Sequence, residues 1–349
     1  MNATPELAVT LVSGLPRAGK TTVACALTGA SPGARFESVQ GADVVDAHEL
    51  VARLADHLLA LVEAGQRGDV VVELPPSCEP AEIALMLEAL FAGDHGAGSG
   101  AALREVITVA RAADIRRLLF REGQELPGDG YDTSEQLAGQ LEFATAVVLT
   151  GTEACGDQQL REIHGLLTKL NPTAAITTLG TATRLRRRRD PSRTLAADLG
   201  QRMGWALELA GRAGPPTTLD AVSTLVFRDP RPFHPERLAK VVADCLEPED
   251  VGLVLRSRGL VRLASRPDRV GSWTSAGGVL AINPTSMTSW DVDSPIGQEL
   301  VIIGRHLRPD RIARTLRAAL LGDDELIAGP MEWASYVDSF PAWQIEHDH

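Results

Sequence analysis

The chain has 349 residues, of which 44% are hydrophobic and 23% charged, enough material for two domains that each carry a core. A formal net charge of −12 excludes bulk electrostatic binding of nucleic acid and leaves room only for a local basic patch. The four cysteines (Cys25, Cys78, Cys155 and Cys245) form no CxxC pair, which argues against a disulfide framework or a compact zinc site, and the absence of a secretory leader or of about 18 consecutive apolar residues predicts a cytoplasmic protein with no membrane span.

Leu7 to Ser13 is short, apolar and followed by a turn signal, and so reads as a buried strand. Thr21 to Thr28 reads as a helix stopped by Gly29, and His48 to Glu63 as an amphipathic helix from its three- and four-residue apolar spacing. Val70 to Leu74 predicts a second strand and Glu82 to Phe91 the helix after it. Further strands are expected at Glu105 to Val109, Ala146 to Thr150 and Ala174 to Thr178, with a helix over Gln159 to Leu170. Strands that alternate with helices and are apolar throughout predict an α/β domain, a mainly parallel sheet covered on both faces, over residues 1–180. Asp94 to Ala101 reads as a loop. An Arg-rich and helical linker is expected over 181–218, carrying the basic run Arg184, Arg186, Arg187, Arg188 and Arg189 and a helical stretch from Thr194 to Leu209. A small α+β domain follows over 219–345, with strands at Ser223 to Arg228, near Val251 to Arg256 and at Leu300 to Ile303, and helices at Pro235 to Cys245 and Pro309 to Leu320.

Within Gly14 to Thr22, the residues Gly14 to Thr21 fit GxxxxGK[ST], and the segment sits between a predicted strand and a predicted helix, as a phosphate-binding P-loop requires. Gly14 and Gly19 let the backbone wrap phosphate oxygens, and backbone N–H groups at the helix start, up to Thr22, stabilise the charge. Lys20 reaches the β and γ phosphates, and the Thr21 hydroxyl ligates Mg²⁺. Lysine is scarce in this chain, occurring only at positions 20, 169 and 240, so its presence in the motif is notable. The competing reading, a chance match in an ordinary turn, does not account for the flanking strand and helix.

Several further runs, in order along the chain, resemble the CobW family of P-loop GTPases. Val70-Val-Val-Glu-Leu-Pro-Pro-Ser-Cys-Glu-Pro80 is similar to that family's Walker B strand, Gln140 to Leu149 to its QIExADxIVL run, and Leu170-Asn-Pro-Thr-Ala174 to its LNPxA. Ser223 to Arg228, Arg231 to Leu238, Leu255 to Gly259, Gln298 to Gly304 and Asp338 to Trp343 resemble the CobW C-terminal domain. The resemblance implies a P-loop NTPase domain followed by a CobW-type domain, with GTP and Mg²⁺ as ligands and ATP as the other nucleotide to consider. It implies that Lys20 and Glu73 serve hydrolysis, and that Thr21 and Glu73 hold Mg²⁺. The other reading of Glu73 is a carboxylate exposed at a strand end.

The chain also departs from the family pattern. Arg17 stands where the family has a further glycine, and either adds charge to the phosphate site or faces solvent. Pro76 replaces the glycine whose N–H meets the γ-phosphate, which predicts impaired hydrolysis. The guanine-reading NKxD falls on Thr150-Gly-Thr-Glu153, so Glu153 either reads the base or is an exposed helix-start acid. Thr145 replaces an aspartate. Residues 30–69 contain no cysteine, so the family's CxCC thiolate motif is absent, and Cys78 reads as a small buried or half-buried residue rather than a ligand. The tail Glu346 to His349 reads as a disordered polar terminus, with weak metal binding as the other reading.

Three functions follow from this resemblance. The first is GTP binding with weak hydrolysis, in zinc homeostasis or the zinc-starvation response, for an unknown client protein. The second is a ribosome-associated factor that recruits a hibernation protein, as in an actinobacterial branch of the family, with Arg184 to Arg189 contacting RNA rather than forming a solvated face. The third is a scaffold with a degenerate P-loop.

Overall fold

A computed structural model describes residues 7–30, 33–38, 46–92, 100–123, 130–182, 195–214, 222–244 and 248–343. The run Arg184 to Arg189 and the tail Glu346 to His349 lie outside the described residues. The chain divides into one unit of residues 1–116 with 135–206 and another of 117–134 with 207–349.

The strands of the first unit are β1 (Leu7–Ser13), β2 (Arg35–Ser38), β3 (Gly68–Glu73), β4 (Ala101–Arg111), β5 (Ala146–Thr150) and β6 (Ala175–Thr178). They form one sheet in the order β2-β3-β1-β4-β5-β6, and every pairing is parallel. The main helices in chain order are α1 (Lys20–Gly29), α2 (Ala47–Glu63), α3 (Pro80–Ala92), α4 (Ala112–Leu118), α5 (Gly130–Glu142) and α6 (Asp157–Leu170). Both sheet faces are covered, which explains why the central strands are apolar without alternation. Val9, Leu11, Val70 and Val72 pack with Leu50, Leu54 and Leu58 of α2 and Ile83 and Leu87 of α3. The intervening residues Val12 and Val71 turn to the other face, with Val23 and Ala24 of α1. Each fully buried aliphatic side chain of this kind contributes about 1.5–3 kcal/mol. Asp46 caps α2 by accepting from the His48 N–H at 3.1 Å.

The sequence predicts one helical stretch from Thr194 to Leu209, whereas the chain forms two short helices, Leu195–Gly200 and Gly204–Leu209. The second helix begins at a close backbone contact. A Cβ on Gly204 would lie 1.7 Å from the Lys169 carbonyl oxygen, so a close backbone approach sets this position. Leu195 and Leu199 join the core of the sheet, and the Glu88 carboxylate accepts from the Leu195 N–H at 2.6 Å.

The second unit holds an antiparallel sheet of β7 (Val222–Asp229), β8 (Leu253–Val261), β9 (Arg269–Ala276), β10 (Val279–Thr288) and β11 (Gln298–Arg305), ordered β10-β9-β8-β11-β7. The helices Pro235–Asp244 and Pro309–Ala318 contribute Leu238, Val241, Ile312 and Leu316 to a core with Phe227, Trp273, Ile282, Leu300 and Ile302. The expected α+β character holds, but β9 and β10 were not expected. They form a hairpin through Gly277 and Gly278, whose φ values of 62° and 86° suit a two-residue turn with left-handed central positions.

Candidate nucleotide-binding site

The P-loop follows β1, the strand at which the sheet order reverses, since the chain continues to β3 on one side and β4 on the other. Ligands of open α/β sheets bind outside the carboxyl ends of the strands at such a switch point. A cavity of about 590 Å³ opens there, lined by residues 15–22, Phe36, Ser38 and residues 73–76.

Loop geometry fixes the motif residues. Gly14 has φ 149°, and a Cβ there would sit 2.3 Å from the Val109 carbonyl oxygen. Gly19 has φ 99° and caps α1 in the left-handed region. Arg17 also has φ 63°, one of three non-glycine residues with positive φ among the described residues. That conformation costs a non-glycine residue about 1 kcal/mol or more, so the loop carries strain at a position where glycine would be relaxed.

Lys20 is buried, and its ammonium donates to the Gly14 carbonyl oxygen at 2.8 Å. Burial lowers its pKa below the ordinary 10.5, and the nearby Glu73 and Cys78 oppose the shift only in part. The lysine is thus a buried charge held across the loop by one carbonyl.

Thr21 and Glu73, 52 residues apart in sequence, meet here. The Thr21 hydroxyl donates to Glu73 Oε1 at 3.1 Å. Glu73 Oε2 is buried and has no hydrogen-bond partner. A buried carboxylate oxygen without a partner is costly, and a hard cation beside a hydroxyl and a carboxylate removes that cost. The donor set therefore fits Mg²⁺.

Beyond Glu73 the chain offers few donors. Pro75 and Pro76 have no N–H. The Leu74 N–H donates to Val12 and that of Cys78 to Pro75. The Pro76 carbonyl accepts from Gln136 Nε2 at 2.6 Å and Gln140 Nε2 at 3.4 Å, one turn apart on α5. These two glutamines hold the loop after β3, a role that sequence reading missed. Cys78 is buried as expected, and burial raises its thiol pKa.

The segment aligned with the guanine-reading motif is divided in its roles. The Thr150 hydroxyl donates to the Ala18 carbonyl at 2.9 Å, bracing the P-loop from β5. Thr150→Val is expected to cost about 1 kcal/mol of stability, read by thermal unfolding, because one hydrogen bond is lost at preserved shape. Glu153 is exposed in a turn, Thr152–Ala154, and does not line the 590 Å³ cavity. Thr145 donates to Glu105 and accepts from the Val106 N–H, and so serves the sheet interior. Asn171 binds three carbonyls, of Leu141, Glu142 and Ala144, with one amide group. Its place in the LNPxA run is therefore structural.

Among the described residues no group of three or more His, Cys, Asp or Glu side chains could hold a metal ion, and no helix is long and apolar enough to cross a membrane.

Known proteins are similar to this chain over most of its length. The model of the cobalamin synthesis protein cobW C-terminal domain matches residues 222–320. The zinc chaperone Rv0106 of Mycobacterium tuberculosis is 32% identical over 90% of this chain and 83% of its own. The chain belongs to the CobW family of P-loop GTPases. A more distant relative, the zinc-regulated GTPase metalloprotein activator 1 of Dictyostelium discoideum, is 27% identical over 63% of this chain and 52% of its own length. The Zn(II)-bound YjiA GTPase of E. coli aligns with 91% of this chain and all of its own, at 18% identity and a TM-score of 0.38. Membership unites the phosphate loop of the first unit with the antiparallel sheet of the second, which carries the matched domain from β7 through the Pro309–Ala318 helix.

Proposed function

We propose that this CobW family member binds Mg²⁺ and GTP at the P-loop, hydrolyses the nucleotide slowly, and acts in zinc homeostasis. The observation that carries the reading is the Thr21–Glu73 pair with its unpartnered Oε2, at the mouth of a loop that already holds Lys20. Gly14, Gly19 and Thr22 belong to the same phosphate cradle. Thr21 and Glu73 hold Mg²⁺, which when bound neutralises charge on the phosphates. Lys20 supplies a buried positive charge to the β and γ phosphates. Slow hydrolysis follows from the loop after Glu73, where two prolines offer no N–H to a developing γ-phosphate charge. Glu153 serves base selection in this reading, as an acceptor for the guanine edge. The role in zinc handling rests on the relatives, one named as a zinc chaperone and one as a zinc-regulated activator.

Glu73→Gln tests the carrying observation. It preserves shape and removes the charge, so the Mg²⁺ concentration that half-saturates nucleotide binding is expected to rise at least about tenfold. An unchanged Mg²⁺ requirement would mean that Glu73 is an ordinary strand-end acid.

A further inference from the structure

Arg17 stands apart from the other residues of the phosphate loop. It is exposed, lines the phosphate cavity, and makes no hydrogen bond or ion pair among the described residues. Its backbone is held at φ 63°, in a loop whose other left-handed positions, Gly14 and Gly19, are glycines. Glycine at position 17 would relax the loop, so the side chain is retained against a conformational cost.

The opposite wall gives that side chain a task. Of residues 74–78, Pro75 and Pro76 carry no N–H, and the N–H groups of Leu74 and Cys78 are already donated within the protein, leaving Ser77 alone. The Pro76 carbonyl is turned to Gln136 and Gln140, so this loop is anchored away from donor duty. Glu73 adds negative charge to the same wall. A terminal phosphate thus meets a donor-poor side and needs its third contact from the P-loop side. Lys20, tied to the Gly14 carbonyl, lies deep in the loop, whereas the uncommitted guanidinium of Arg17 is at the mouth.

We infer that Arg17 binds the terminal phosphate of a nucleoside triphosphate from within the P-loop, replacing the backbone donor that Pro76 cannot supply, and so makes the site discriminate triphosphate from diphosphate. A planar guanidinium suits two phosphate oxygens at once, in a way that ammonium does not. The inference rests on the proposed nucleotide site and deepens it.

The experiment measures dissociation constants for GTPγS and GDP with Mg²⁺, for wild type, Arg17→Gly and Arg17→Lys, alongside thermal midpoints. Arg17→Gly removes strain, so its midpoint is expected to equal or exceed that of wild type, which separates a binding defect from misfolding. Its preference for GTPγS over GDP is expected to fall at least about tenfold, with Arg17→Lys in between. If the Gly variant weakens both nucleotides by the same factor, or neither, Arg17 does not read the terminal phosphate and the inference fails while the site stands. If wild type binds neither nucleotide, the site reading falls and the inference falls with it.

Discussion

Lys20→Ala is expected to weaken triphosphate binding at least about 100-fold, equivalent to roughly 3 kcal/mol, without unfolding the chain. Its ammonium is the one buried cation of the phosphate loop and is held by a single carbonyl, that of Gly14. In the variant the buried Gly14 carbonyl loses one donor, a cost of about 1–3 kcal/mol to the fold, whereas a bound phosphate loses its nearest full charge. The same lysine sets a pH dependence. Because burial lowers its pKa from 10.5, the free protein gives up this proton at lower pH than an ordinary lysine would. A bound phosphate stabilises the charged form and raises the pKa again. Affinity is therefore greatest below the lowered pKa of the free protein and falls as pH rises through it toward the higher value of the complex. Titrating affinity between neutral and alkaline pH checks the sign, and Lys20→Ala should flatten that part of the profile.

Gly14→Ala is expected to destabilise the protein by about 3 kcal/mol or more, a fall in Tm of about 6–12 °C. The added Cβ would stand 2.3 Å from the Val109 carbonyl oxygen, an atom of strand backbone that cannot swing aside. Since Ser13 of β1 pairs with Thr108 of β4, relief requires those strands to part at the switch point. The φ of 149° adds strain for any residue with a side chain. Nucleotide affinity falls with the fold here, because the carbonyl of residue 14 itself, which positions Lys20, is displaced. Gly29→Ala is the matched control, since a Cβ at Gly29 meets nothing within 4 Å.

Those two residues were legible in the sequence because their chemistry is local. A P-loop needs its glycines, lysine and hydroxyl within eight residues, and a strand and helix must flank it. Glu73 was legible for a similar reason, standing at the end of an apolar run that parallel sheets require. Its meeting with Thr21 depends on β3 lying beside β1, which strand alternation predicts in kind but not in order.

What the sequence hid is long-range or weakly patterned. Strand β2 is four residues, Arg35–Ser38, at the sheet edge and polar but for Phe36, so no apolar run announces it. The β9–β10 hairpin did carry a signal, Gly277-Gly278 between β-prone runs, but Asn283 and Pro284 interrupt the second run and disguise it. The Gln136 and Gln140 contacts to Pro76 span 60 and 64 residues, and nothing in either segment names the other. The substitution at position 17 was visible, whereas the left-handed backbone beneath it is a property of the folded loop alone. Glu153 was read as either a base contact or an exposed acid; its exposure in a short turn is compatible with both.

The central claim is that the P-loop is a working, Mg²⁺-dependent nucleotide site rather than an inherited shape. Isothermal titration calorimetry of the full chain with GTP and with ATP, each with and without Mg²⁺, tests it most directly. Saturable binding of GTP that tightens with Mg²⁺ and exceeds that of ATP is the predicted result. The absence of saturable heat for either nucleotide in the presence of Mg²⁺ would contradict it.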